Sequence, residues 1–275
     1  MSAVLHDGVM NVEDYQRFTD DLVVRLRLDD RVIGLVALGS MAAIDRAPDQ
    51  WSDHDFWVVT TNGAADAVRT DTGWLPRSDD VVIAFSETAH GRCVIYADGH
   101  LAEYAVFDDR DVEIARANAF RVLLDDCNLE ARMQSMVDRT IAERHADDPT
   151  GADRFGGLLA QITIGVTRHG RGELLSANEL IRGRAARTLV SLLASFVDPD
   201  VGVQLDNLDP SRRFEQAHPS LARAINQAME TPILACAQSF LSIAQRELSG
   251  RVTAVTAAAV GAVQATIERA RSTTQ

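Results

Sequence analysis

Two aspartates one residue apart, Asp53 and Asp55, open an apolar run, Phe56-Trp57-Val58-Val59, and a Gly39-Ser40 pair closes an earlier one, Val32 to Leu38. In extended backbone, residues i and i+2 point to the same face, so the two carboxylates look toward one point in space. Like charges held that close repel unless a cation stands between them. Hard oxygen ligands of this kind suit Mg²⁺, which keeps waters and adds substrate phosphates to a few protein carboxylates. The glycine lets backbone approach a ligand, and the serine can donate from its amide and its hydroxyl to phosphate oxygens. The chemistry that these parts describe is the holding of a nucleoside triphosphate with its metal. The plain alternatives are that Asp-x-Asp is a solvated turn and Gly-Ser an ordinary one. The order strand, Gly-Ser, loop, Asp-x-Asp, strand favours the site.

A third carboxylate strengthens it. Arg92 to Ala97, then Asp98-Gly99, then His100 to Phe107 reads as a hairpin with a two-residue type I′ turn. On its second strand Leu101, Glu103, Ala105 and Phe107 share a face, which makes Glu103 an acid among apolar neighbours. An acid so placed must neutralise, pair or bind metal, unless the strand is an exposed edge. His54 alternates to the other face and reads as structural. Trp57 reads as core, whereas Trp51 could line a cleft.

Gly39-Ser40, Asp53-x-Asp55 and the later Glu103 resemble the nucleotidyltransferase fold shared by DNA polymerase beta and the antibiotic nucleotidyltransferases. Closer still is the resemblance to the two-domain lincosamide nucleotidyltransferases. It is carried by Ser52-Asp53-His54-Asp55-Phe56, by Glu103-Tyr104, and by the stretch from Ile164-Gly165-Val166 through Arg171-Gly172-Glu173-Leu174. The resemblance covers both halves of the chain, through short motifs. It implies that Asp53 and Asp55 hold a Mg²⁺ bridging the triphosphate. Glu103 would be general base or third metal ligand for a hydroxyl attacking the α-phosphorus. It also implies ATP or another NTP as co-substrate, a lincosamide as the leading acceptor with antibiotic resistance as the outcome, and a helical domain that closes the site. An aminoglycoside or another small molecule or protein is the alternative acceptor, and a catalytically retired nucleotide-binding homologue is the alternative class. His54 departs from the family, which often has an apolar residue there.

The elements that must position these residues are legible. Asn11 to Leu28 reads as an amphipathic helix with Tyr15, Phe18, Leu22, Val23 and Leu26 on one stripe. Strands follow at Val32–Leu38, after the aspartate pair, at Val81–Phe85 and in the hairpin. From Leu129 onward the chain reads helical: 129–146, a break at Asp147 to Gly151, an antiparallel pair at 154–169 and 173–196, then 219–230, 231–248 and 251–271. The expectation is an α/β catalytic domain with a mixed sheet at 1–127 and an all-α bundle at 128–275. At the corner Gly170-Arg171-Gly172-Glu173, the glycines end a helix, and Arg168 and Arg171 either complement its dipole or reach the triphosphate, with Glu173 meeting the acceptor.

Composition sets the outer bounds. The chain has 275 residues, 46% of them hydrophobic, enough for a large core in one domain or two. Its net charge of −13 argues against a polynucleotide and fits a small cationic acceptor. There is no lysine, which excludes a Walker A loop, so a triphosphate must be held by Mg²⁺, amides, Ser40 and arginines. Cys93, Cys127 and Cys236 lack metal-ligand spacing and read as reduced. No membrane-spanning run appears, and Met1 to Gly8 lacks a signal pattern, so a cytoplasmic location is expected. The Ala-rich last helix could pack on the bundle or on a second copy in a homodimer.

Overall fold

The computed structural model describes residues 10–44, 46–143, 146–203, 205–206 and 208–273; the stretch Met1 to Gly8 lies outside them. The chain divides into two compact units, Met1–Ala142 and Glu143–Gln275.

The first unit is a six-stranded mixed sheet between helices. The strands are β1 (Val32–Leu38), β2 (His54–Thr60), β3 (Val81–Ser86), β4 (Gly91–Tyr96), β5 (Leu101–Asp108) and β6 (Phe120–Asp125), in the order β3-β4-β5-β2-β1-β6. Only β2 and β5 run parallel; the other neighbours are antiparallel. Two apolar faces follow from the period of two along each strand. One gathers Leu35, Ala37, Phe56, Val58, Tyr104 and Val106 against Tyr15, Phe18, Leu22 and Leu26 of helix α1 (Val12–Arg27) and Val68 of α3 (Ala65–Thr70). The other gathers Val36, Leu38, Trp57, Val59 and Phe107 against Leu129, Met133 and Met136 of α4 (Leu129–Glu143). Asn11 caps α1 by accepting the Asp14 N–H at 2.9 Å. A short helical turn, α2 (Gly39–Ala42), ends β1.

Three features differ from the expectation. Helix α4 packs on the sheet, so the expected boundary after residue 127 moves to the end of that helix. Its buried stripe Leu129, Met133 and Met136 serves the sheet, which a periodicity argument cannot distinguish from service to a bundle. Strand β6, which no local pattern marks, joins β1 on its free side. The hairpin turn is also different. Tyr96 N–H reaches the His100 carbonyl at 2.9 Å and Gly99 N–H the Tyr96 carbonyl at 2.9 Å, enclosing three loop residues. Of these only Gly99 has positive φ (+83°), whereas a type I′ turn needs two such residues.

The second unit is helical, with no strand among its described residues. Its helices are α5 (Ala152–Gly170), α6 (Leu174–Asn178), α7 (Ala186–Phe196), α8 (Phe214–Ala217), α9 (Pro219–Met229), α10 (Ile233–Leu248) and α11 (Ala257–Thr273). A π-helical segment, Glu179–Ala185, joins α6 to α7 and makes the expected single helix one wide-centred rod. Phe155, Leu158, Ile162 and Val166 form the buried stripe of α5, packed with Ile181, Leu189, Leu193, Phe240 and Ile267. Among the described residues no helix is long and apolar enough to cross a membrane.

Candidate active site

The parallel pairing of β2 with β5 brings the predicted acids together. Asp55 lies directly opposite Glu103, Glu103 opposite Cys93 on β4, and Cys93 opposite Phe85 on β3. These four therefore form one transverse row on one face of the sheet, with neighbouring strands about 4.8 Å apart. Asp53 stands just before β2 and, two residues from Asp55, presents to the same side. Further along the same face, Trp57, Val59 and Phe107 pack with Leu129, Met133 and Met136 of α4.

The acids near Glu103 act on one another. Burial pushes the Glu103 carboxyl above its ordinary value, and Asp53 and then Glu87 push it further in the same direction. Burial likewise raises the Cys93 thiol, helped by Glu103, Glu87 and Asp53, so Cys93 stays protonated and unreactive. Glu87 is thus a fourth acid of the cluster. Sequence reasoning missed it because it belongs to no motif; the β3–β4 turn alone carries it there. Asp53, Asp55 and Glu103 do not close into a cage, since among the described residues no three acidic, imidazole or thiol groups gather tightly enough to hold a cation alone.

Gly39 adopts φ +49°, in the left-handed region that favours glycine. A Cβ there would sit 3.6 Å from Asp55 Oδ2, so the bare backbone of this turn faces the carboxylate directly. Ser40 follows it on α2. The Arg121 guanidinium donates to the Met41 carbonyl at 3.0 Å, which places an arginine at the Gly-Ser turn that no sequence signal marked.

Beneath the aspartates the side chains turn the other way. His54 is fully buried and stacks on Tyr15 with ring centroids 3.8 Å apart. Its Nδ1 lies 2.8 Å from His100 Nε2, and its Nε2 lies 3.1 Å from Thr19 Oγ1 and 3.2 Å from the Tyr15 carbonyl. Burial, and then His100, lower its pKa to about 3, so it is a neutral structural histidine as strand alternation predicts. Trp57 is core, and Trp51 is 81% exposed.

In the helical unit the Gly170–Glu173 corner is a helix terminus. Gly172, at φ +76°, donates to the His169 carbonyl at 2.9 Å, and Glu173 N–H returns to the Arg168 carbonyl at 2.9 Å. The Arg168 guanidinium pairs with the Glu173 carboxylate, while Arg171 is exposed.

No family model and no curated protein matches the chain. Solved structures show distant likeness, three of them as follows. An aminoglycoside 6-adenyltransferase from Bacillus subtilis is 14% identical with a TM-score of 0.36, over 96% of this chain and 99% of that one. A STING-associated CdnE c-di-GMP synthase from Capnocytophaga granulosa is 10% identical with a TM-score of 0.31, over 95% and 80%. CdnC of E. coli MS115-1, in a complex with HORMA-deltaN, is 14% identical with a TM-score of 0.31, over 88% and 92%. Likeness this faint decides neither activity nor substrate.

Proposed function

We propose that the chain is a Mg²⁺-dependent nucleotidyltransferase that moves a nucleoside monophosphate from an NTP to a hydroxyl of a small, amine-bearing molecule. The observation that supports this reading best is the register of Asp55 with Glu103 on adjacent parallel strands, below the bare backbone of Gly39. The donor set fits a hard divalent cation: every candidate ligand is a carboxylate, and Asp53 and Glu87 raise Glu103 with no cation offsetting them. Asp53 and Asp55 would hold Mg²⁺, and water and triphosphate oxygens would supply the ligands that a two-carboxylate site lacks. Mg²⁺ bound there supplies charge neutralisation for the triphosphate and the departing pyrophosphate.

The chain's own residues do the rest. Glu103, with its raised pKa, accepts the proton of the acceptor hydroxyl as that oxygen bonds to the α-phosphorus. The bond from phosphorus to the pyrophosphate oxygen breaks in line with it. Ser40 donates to phosphate oxygens at the Gly39 turn. Arg121, already at that turn, is the candidate arginine for the triphosphate. The acceptor meets Glu103 and Glu87 beside the exposed Ile83 and Phe85 of β3, so an amine with an apolar body is the complementary shape of charge. A lincosamide is the leading acceptor on that ground and an aminoglycoside the alternative. All three carboxylates are present on one face, which weighs against a retired homologue.

The test is incubation with Mg²⁺, each of the four NTPs, and a panel of lincosamides and aminoglycosides, following pyrophosphate release. Acceptor-dependent release supports the reading. Mg²⁺-dependent NTP binding without turnover on any acceptor points instead to the binding homologue.

A further inference from the structure

Tyr15 belongs to the apolar stripe of α1 and is only 2% exposed, a position where phenylalanine would pack as well. A buried hydroxyl is kept at a cost unless it is paired. Its proton goes to the Asp53 carbonyl at 2.8 Å. Asp53 directly precedes β2, whose pairing with β5 begins at His54, so the phenol holds the entry to that strand. The Ser40 side chain lies beside the same hydroxyl. One oxygen thus bonds the entry to β2 and has the Ser40 side chain of the Gly-Ser turn beside it.

The ring is fixed as firmly as the hydroxyl. It lies flat on His54, at 16° between planes, and His54 sits between the two aspartates. The tautomer of His54 follows from its partners. The Tyr15 carbonyl can only accept, and the Thr19 hydroxyl already donates to it at 3.2 Å, so His54 Nε2 carries the proton. His54 Nδ1 is then bare and accepts from His100 Nε2 at 2.8 Å. The rings form a rigid neutral stack under the carboxylate face, anchored to α1 and to β5 by way of His100.

We propose that Tyr15 is a positioning residue that sets the Gly39-Ser40 turn and the Asp53-x-Asp55 strand in fixed relation. The inference rests on the nucleotidyltransferase reading above. Tyr15→Phe removes the bridge and keeps the stack on His54. Mg²⁺ is titrated at fixed ATP with the pyrophosphate assay, alongside thermal melting. The expected result is a half-saturating Mg²⁺ concentration raised about ten-fold and kcat lowered about ten-fold, with the acceptor KM unchanged, because the loss is one of alignment. Leu22→Val, on the same stripe and fully buried, serves as the packing control. It should lower the melting temperature as much and leave both parameters in place. Wild-type Mg²⁺ dependence and kcat in Tyr15→Phe overturn the positioning role alone, as does an equal shift in Leu22→Val. A wild-type protein that neither binds Mg²⁺ with ATP nor turns over overturns the functional reading, and the positioning role falls with it.

Discussion

Gly39→Ala separates what the Gly-Ser turn does for folding from what it does for the site. Gly39 sits at φ +49°, inside the left-handed region, where an alanine costs about 1–2 kcal/mol of backbone strain. The added Cβ brings no clash, because its nearest neighbour is Asp55 Oδ2 at 3.6 Å, an ordinary contact. The stability loss is therefore the backbone term alone, a fall in Tm of roughly 3–6 °C for a unit of this size. Function should suffer far more. A methyl carbon 3.6 Å from Asp55 Oδ2 occupies the side from which phosphate oxygens and bound water must reach the carboxylate, and it offers them no hydrogen bond. Displacing reactants by about 1 Å costs on the order of 10²-fold in rate, which is the expected drop in kcat/KM. Gly63→Ala is the control. Gly63 has φ +91°, and a Cβ added there would meet nothing within 4 Å, so its alanine variant carries backbone strain without touching the acids. Melting curves and pyrophosphate release are measured for both variants. If Gly39→Ala loses stability as Gly63→Ala does but keeps wild-type turnover, the approach of bare backbone to Asp55 has no catalytic meaning.

Three further outcomes follow from the same geometry. Glu103→Gln should lower kcat by about 10²–10³ while Mg²⁺-ATP affinity, read by calorimetry, stays put; a matching loss of affinity would make Glu103 a ligand and not a base. Because burial, then Asp53 and then Glu87 raise Glu103, the acid limb of kcat/KM against pH lies above the ordinary carboxylate range, and Glu87→Gln should move it part of the way to lower pH; an unmoved limb refutes the coupling. His54 is held near 3 in the fold against 6.5 for the free side chain, so between those values the unfolded chain binds the extra proton and stability rises with pH. Urea denaturation should show stability lost as pH falls through that window, at about 1.4 kcal/mol per pH unit from His54 alone, and a flat profile between pH 6 and 5 contradicts it.

The legible parts of the site are those whose position follows from local pattern. Asp53 and Asp55 share a face because strand alternation requires it, and Glu103 joins them because the hairpin fixes its phase. Their being neighbours depends on which strands pair, and the parallel β2–β5 contact is a long-range event that no local pattern encodes. The same limit explains Glu87, Arg121 and β6, whose roles come from elements brought together by the sheet order. Tyr15 shows a subtler limit. Its place on the apolar stripe of α1 is readable, but periodicity weighs the ring and ignores the hydroxyl, and it is the hydroxyl that meets Asp53. The boundary after residue 127 fails for a related reason: the apolar face of α4 fits a sheet as well as a bundle, and only the partner decides. Where a motif supplies the chemistry, the residues supporting it from beneath are hidden among ordinary core positions. Such supports are best sought at buried polar tips on otherwise apolar stripes, of which Tyr15 is an instance, because a buried O–H that finds a partner makes that partner a fixed point of the site.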